Sequence, residues 1–325
     1  MSSDGAIRTG MAFGMNLAGP LAWRERTIVA HGARLAVFEA GSAEPGAPCV
    51  LLLHGLGHWS DAAWGAVVPL LDPSARYVAL DLPGFGASEK PRAAYDLNYF
   101  RDVLDDTIAQ LVPERFALIG HSLGGFLAAD YAGREPGRVE RLALIAPAGF
   151  GRAPRHLVYA LAGGFARWAF TRPPSRRLVQ RALLRSVADP ASLDDAIVER
   201  AHALAQERPV REAFASIYAG ALRVFANAGA LQAGFARYHH AVLCIWGERD
   251  RYLSVRGTRE VARVYPNART LVLPETGHLP MIERPAETGE ALKTFLRGFV
   301  RGRARAAVVL AIAAEPPHGV LFLER

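Results

Sequence analysis

The chain has 325 residues, 51% hydrophobic and 21% charged, enough for a large buried core and too apolar for a disordered protein. The net charge of +7 sits in one place: residues 148–240 hold 13 arginines against six acidic residues, and the rest balances at 25 of each sign. No nucleic-acid motif accompanies these arginines, which argues against nucleic acid and leaves two readings, a solvated helical surface or a face for an anionic substrate, an acidic carrier or a membrane. Cys49 and Cys244 each lie in an apolar run, so neither a disulfide framework nor a metal site is expected. Residues 1–24 read as a leader without the features of a signal peptide. The longest apolar run at the C-terminus, Ala306–Ala314, is half a membrane span, so a cytoplasmic protein with no transmembrane segment is expected.

Arg26–Ala30 and Leu35–Glu39 read as a hairpin turned at His31-Gly32. Short runs that are apolar on every position follow at Val50–Leu53, Tyr77–Leu80, Phe116–Ile119, Leu142–Ile145, Val242–Trp246 and Thr270–Leu273. Such runs suit strands covered on both faces. Helical stretches separate them at about 60–71, 97–112, 122–134, 254–264 and 285–300. Strand–helix alternation predicts an α/β fold with a mostly parallel sheet. From about Phe150 to His240 no strand run is evident, and the composition of Ala, Arg and Leu reads as inserted helices broken at Gly163-Gly164, Pro173-Pro174 and Asp189-Pro190. The organisation expected is a core of 25–147 and 241–302, a helical cap at 148–240, and an extension at 303–325 that forms either an added strand or a loose tail.

The strongest motif is Gly120-His121-Ser122-Leu123-Gly124-Gly125, which follows a strand run and opens a helical one. This G-x-S-x-G turn puts a serine on a sharp strand-to-helix bend, where small neighbours allow close backbone approach and the helix N-terminus favours negative charge. A hydroxyl needs a base. His278, in a loop after the run Thr270–Leu273, is placed to reach the same end of the sheet as Ser122.

These features resemble the α/β-hydrolase family over about residues 25–302. The resemblance implies an eight-stranded, mostly parallel sheet flanked by helices. It also implies that the residue after His54-Gly55 supplies an oxyanion N–H, which falls on Leu56, with Leu123 as the second donor. Trp246-Gly247-Glu248-Arg249-Asp250 resembles the family's acid loop and assigns Asp250, with Glu248 as the alternative. The order Ser, Asp, His is the one the family uses. Asp81-Leu82-Pro83-Gly84-Phe85-Gly86-Ala87-Ser88 looks like a family turn of structural purpose, and His54 is expected to pack and hydrogen-bond within its own turn. His58, Trp59, His121, Arg152 and Arg155 are candidates for the substrate pocket.

The chemistry implied is hydrolysis of a small or medium carboxylic ester through an acyl-enzyme, with no cofactor and a small-molecule substrate, possibly an anionic one. A C–C hydrolase acting on an acidic ring-cleavage diketone is the alternative, and a noncatalytic ligand-binding protein on the same scaffold is a third reading. The sequence does not fix the oligomeric state.

Overall fold

The computed structural model describes the backbone of residues 21–151, 170, 172–226 and 228–314, and the side chains of all these except 221–226, 228 and 303–314. Eight strands form one sheet: β1 (Arg24–Ala30), β2 (Ala33–Gly41), β3 (Cys49–Leu53), β4 (Arg76–Leu80), β5 (Phe116–His121), β6 (Val139–Ile145), β7 (Ala241–Gly247) and β8 (Arg269–Leu273). Their spatial order is β1-β2-β4-β3-β5-β6-β7-β8. The β1–β2 and β2–β4 pairs are antiparallel and every other pair is parallel, as expected.

The doubly apolar runs are explained by two cores. Leu51, Leu53, Leu118, Leu142, Leu144 and Trp246 face one side, against α2 (Leu97–Leu111), α3 (Leu123–Arg134) and α8 (Gly257–Val264). Val50, Leu52, Ile119, Ala143, Ile145 and Ile245 face the other, against α1 (Ser60–Trp64) and α10 (Pro285–Ala314). Successive residues of a strand point to opposite faces, so a strand buried on both must be apolar throughout. Cys49 and Cys244 are buried in this sheet without a disulfide, and burial pushes the Cys244 thiol up to about 12.

Between β6 and β7 the described residues form only helices: α4 (Arg176–Leu184), α5 (Asp195–Gln206), α6 (Arg208–Ala226) and α7 (Ala228–Phe235). Pro173-Pro174 precedes α4, and Asp189-Pro190 opens a short 3-10 turn between α4 and α5, so neither expected break lies inside a described helix. The break at Gly163-Gly164 lies outside the described residues. The expected helix at 60–71 divides at Gly65 into α1 and a 3-10 turn over Val68–Leu70, where Pro69 lacks the N–H to continue an α-helix.

Two boundaries differ from expectation. The leader does not run to residue 24: Leu21 is buried in the second core, and Trp23 meets Phe38 edge-on at 6.4 Å. The extension is neither a strand nor a tail where it is described, because α10 continues from the core to Ala314. Arg, Ala, Val, Leu and Ile are residues that carry a helix on through this stretch. The helix Pro280–Glu283, α9, precedes it. Among the described residues no helix is long and apolar enough to cross a membrane.

Candidate active site

At the carboxyl ends of β5, β7 and β8 three loops meet. Ser122 stands between β5 and α3 with φ +51°, a left-handed angle rare for a serine. The bend is held by backbone: the Ser122 N–H donates to Ile145 O (2.9 Å), and Ala148 N–H donates to Ser122 O (2.9 Å). It requires glycine on both sides. A Cβ on Gly120 would lie 2.2 Å from Gly124 O, and one on Gly124 2.3 Å from Leu53 O. The serine is therefore held at the N-terminus of a 12-residue helix.

His278 Nε2 accepts from the Ser122 hydroxyl at 3.0 Å, and His278 Nδ1–H donates to Asp250 Oδ2 at 2.7 Å. The Asp250 carboxylate is fully buried. It also accepts from Trp246 Nε1 (3.1 Å) and from the N–H groups of Tyr252 (2.8 Å) and Leu253 (2.9 Å), which leave it one orientation. Glu248 is exposed, and its carboxylate accepts from Glu275 N–H, away from the imidazole. The loop carrying His278 is pinned twice. Its N–H donates to Ser186 O (2.6 Å), and the carboxylate of Glu283 takes the N–H groups of Gly277 (2.8 Å) and Ala188 (2.6 Å). Burial pushes the Glu283 carboxyl up, opposed by these backbone bonds. Nothing in the sequence marks Glu283, because its partners lie in the loop it folds back on and in a segment nearly a hundred residues away.

No hydrogen bond among the described residues engages the N–H of Leu56 or of Leu123. Both residues line a cavity of about 510 Å³ that also contains Ser122 and His278. His58 and Trp59 lie on its wall. His121 does not. It is 1% exposed, and its Nε2–H donates to His278 O at 2.8 Å, so a strand-end side chain is turned beneath the histidine loop instead of into the cavity. Arg152 and Arg155 lie outside the described residues. A second depression, about 620 Å³ between β8 and α10, holds none of these groups.

His54, His58 and His121 are all held below the usual histidine range, burial being the main cause, and His58 falls to about 3. These rings stay neutral near neutral pH and add no competing positive charge beside His278. His54 takes Leu82 N–H on Nε2 (2.9 Å), which ties its turn to the loop over Asp81–Ser88. In that loop the buried Asp81 accepts from Ser60 N–H (2.6 Å) and Ala87 N–H (2.8 Å), the structural purpose expected of it.

The far wall of the cavity comes from the inserted helices, with Leu178, Leu183, Phe214 and Ile217 among its apolar side chains. Arg200 of α5 anchors them to the core. It grips Asp61 with Nη1 (2.8 and 3.1 Å) and stacks 4.7 Å from the Trp59 ring. Arg211 reaches the cavity, but its Nη1 is spent on the carbonyls of Ala205 (3.0 Å) and Gln206 (2.6 Å) at the end of α5.

An imidazole between a hydroxyl and a buried carboxylate can take the hydroxyl proton and later return it, while two idle N–H groups can bind a developing oxyanion. Comparison with known proteins places the chain in a family. The acetyltransferase component of the acetoin cleaving system of Pseudomonas putida is 30% identical over 82% of this chain and 67% of its own length. The 2-hydroxymuconate semialdehyde hydrolase of Pseudomonas sp. strain CF600 is 28% identical over 83% of this chain and 93% of its own. Among solved structures, a bacterial membrane phospholipase A superposes with a TM-score of 0.69 at 29% identity, over 86% of this chain and 87% of that one. The sequence profile of the alpha/beta hydrolase fold family matches residues 48–285, and the chain belongs to that family of hydrolases.

Proposed function

We propose that the protein is a serine hydrolase that cleaves a carboxylic ester through an acyl-enzyme. The observation that carries this is the hydrogen-bonded series from Asp250 through His278 to Ser122 beneath an apolar cavity. Asp250 fixes the imidazole with its proton on Nδ1. His278 accepts the Ser122 proton as the oxygen attacks the ester carbonyl, and the tetrahedral oxyanion rests on the N–H groups of Leu56 and Leu123. The imidazolium then protonates the departing alcohol. Water, activated by the same imidazole, releases the acid. The core of 25–147 and 241–302 supplies this chemistry, and the helical cap of 148–240 closes the cavity over it.

The similarity to a phospholipase A supports ester cleavage, and the apolar cavity suits an acyl chain. The similarity to 2-hydroxymuconate semialdehyde hydrolase favours a second reading, hydrolysis of a C–C bond in an acidic diketone. The contacts of Arg211 weigh against it, since the Nη1 of this cavity-lining cation is already occupied by two carbonyls. A chain-length series of p-nitrophenyl esters, run beside a ring-cleavage diketone, separates the two. The ester reading expects turnover that rises with acyl length until the cavity is full. Diketone turnover far above that of every ester would reverse the assignment.

A further inference from the structure

Helix α4 is built differently from the other helices that touch the site. None of its residues is buried. Leu178, Val179, Ala182 and Leu183, three or four apart and so on one face, all line the cavity, yet Leu178 stays 58% exposed. An apolar helix face that the described residues leave exposed beside a cavity suits an apolar ligand. Next to this face runs a second row. Arg177, Arg181 and Arg185 recur every fourth residue and span about 12 Å of helix. All three are exposed, and none has an acidic partner among the described residues. The contrast with Arg176 is local. It lies on the opposite flank and pairs with Asp195 and Glu199 of α5.

The basic row borders the cavity mouth, because Leu178 and Ala182, its immediate chain neighbours, are both exposed and cavity-lining. Its charge is felt inside as well. Arg185 opposes the upward push of burial on the Tyr252 hydroxyl, and the Tyr252 ring is centred 5.5 Å from that of His278. Apolar cover is thus missing on one side of the helix edge and negative charge on the other.

We infer that the ester cleaved at Ser122 joins an apolar acyl chain, lodged under α4, to an alcohol bearing an anionic group that Arg177, Arg181 and Arg185 hold at the cavity mouth. This rests on the ester hydrolase reading and narrows its substrate class. The bond broken is the acyl C–O bond. Water supplies the oxygen of the released acid, and the anionic alcohol leaves with the proton from His278.

The test compares hexanoylglycerol phosphate with hexanoylglycerol, both monomeric, on the full chain. The wild type is expected to favour the phosphate by about tenfold in kcat/KM at low salt, and by less at high salt. The triple variant R177Q/R181Q/R185Q should bring that ratio to about one and leave turnover of the neutral ester unchanged; R181Q alone, the milder change, should lower it partway. A wild-type ratio near one, or a ratio untouched by the variants, overturns the inference. Long-chain versions of both esters in phosphatidylcholine and phosphatidylglycerol vesicles separate substrate charge from surface charge. Rates that follow the vesicle and not the ester assign the row to a membrane surface and also overturn it. Turnover of neutral hexanoylglycerol reports the hydrolase reading by itself, so an active enzyme without charge preference sinks only the present inference.

Discussion

The carboxyl edge of the sheet and the helices inserted above it are held by different physics. At the sheet edge Ser122, Asp250 and His278 hang from β5, β7 and β8, and the loops are fixed by buried backbone hydrogen bonds and by packing on two cores. In the inserted segment α4 buries nothing and is tied to α5 by Arg176–Glu199, Arg200–Asp61 ties α5 to the core, and Ala213, Ile217 and Phe235 of α6 and α7 pack into the first core. A reaction needs atoms placed to within a fraction of an ångström, which close packing supplies. A substrate pocket tolerates a looser wall. On the proposed reading, chemistry and specificity are carried by parts held by different contacts.

Several substitutions put that contrast to the test. Ser122→Ala should lower kcat by about 10⁴-fold or more while near-UV circular dichroism and thermal midpoint stay unchanged. Ile119→Ala, in the buried strand that leads to Ser122, should cost about 2–5 kcal/mol in denaturant unfolding. His121→Ala should reduce kcat by about a hundredfold, because it frees the backbone at His278, and His121→Gln, which keeps a donor at the same reach, should recover most of it. A purely structural His121 would instead lower stability in both variants with kcat retained. Leu178→Ala should change stability by less than about 0.5 kcal/mol and alter only the preference for acyl length.

The histidines give the contrast a pH signature. His58 is held at about 3 and His121 well below its usual 6.5, so between those values the unfolded chain binds protons that the folded chain refuses. Stability therefore falls as pH drops from about 6.5 towards 3 and is level above that window. Denaturant midpoints measured across this range should show the slope, and His58→Asn should make it shallower, leaving the share of His121. A midpoint independent of pH would mean that these rings are solvated and the cavity floor is open.

Much of the sheet was legible because burial on both faces leaves a local mark, uninterrupted apolar runs such as Val50–Leu53. The turn at Ser122 is legible because a strand run followed by Gly120 announces a tight bend, whereas Asp250 is assigned only through the resemblance of its loop to the family's acid loop. His121 was misplaced because a strand-end side chain points up or down according to packing that one position does not encode. Glu283 and the Arg200–Asp61 pair were invisible because their partners meet only in the folded chain. The continuation of α10 to Ala314 has a plainer reason: nothing between Gly302 and Ala314 opposes a helix, and a helix that already exists continues at little cost.

A fluorophosphonate probe, followed by peptide mapping, interrogates the site most directly. One covalent adduct on Ser122 is expected, abolished in His278→Ala and strongly slowed in Asp250→Asn. Folded protein that takes no label, or takes it on a residue other than Ser122, would contradict the account.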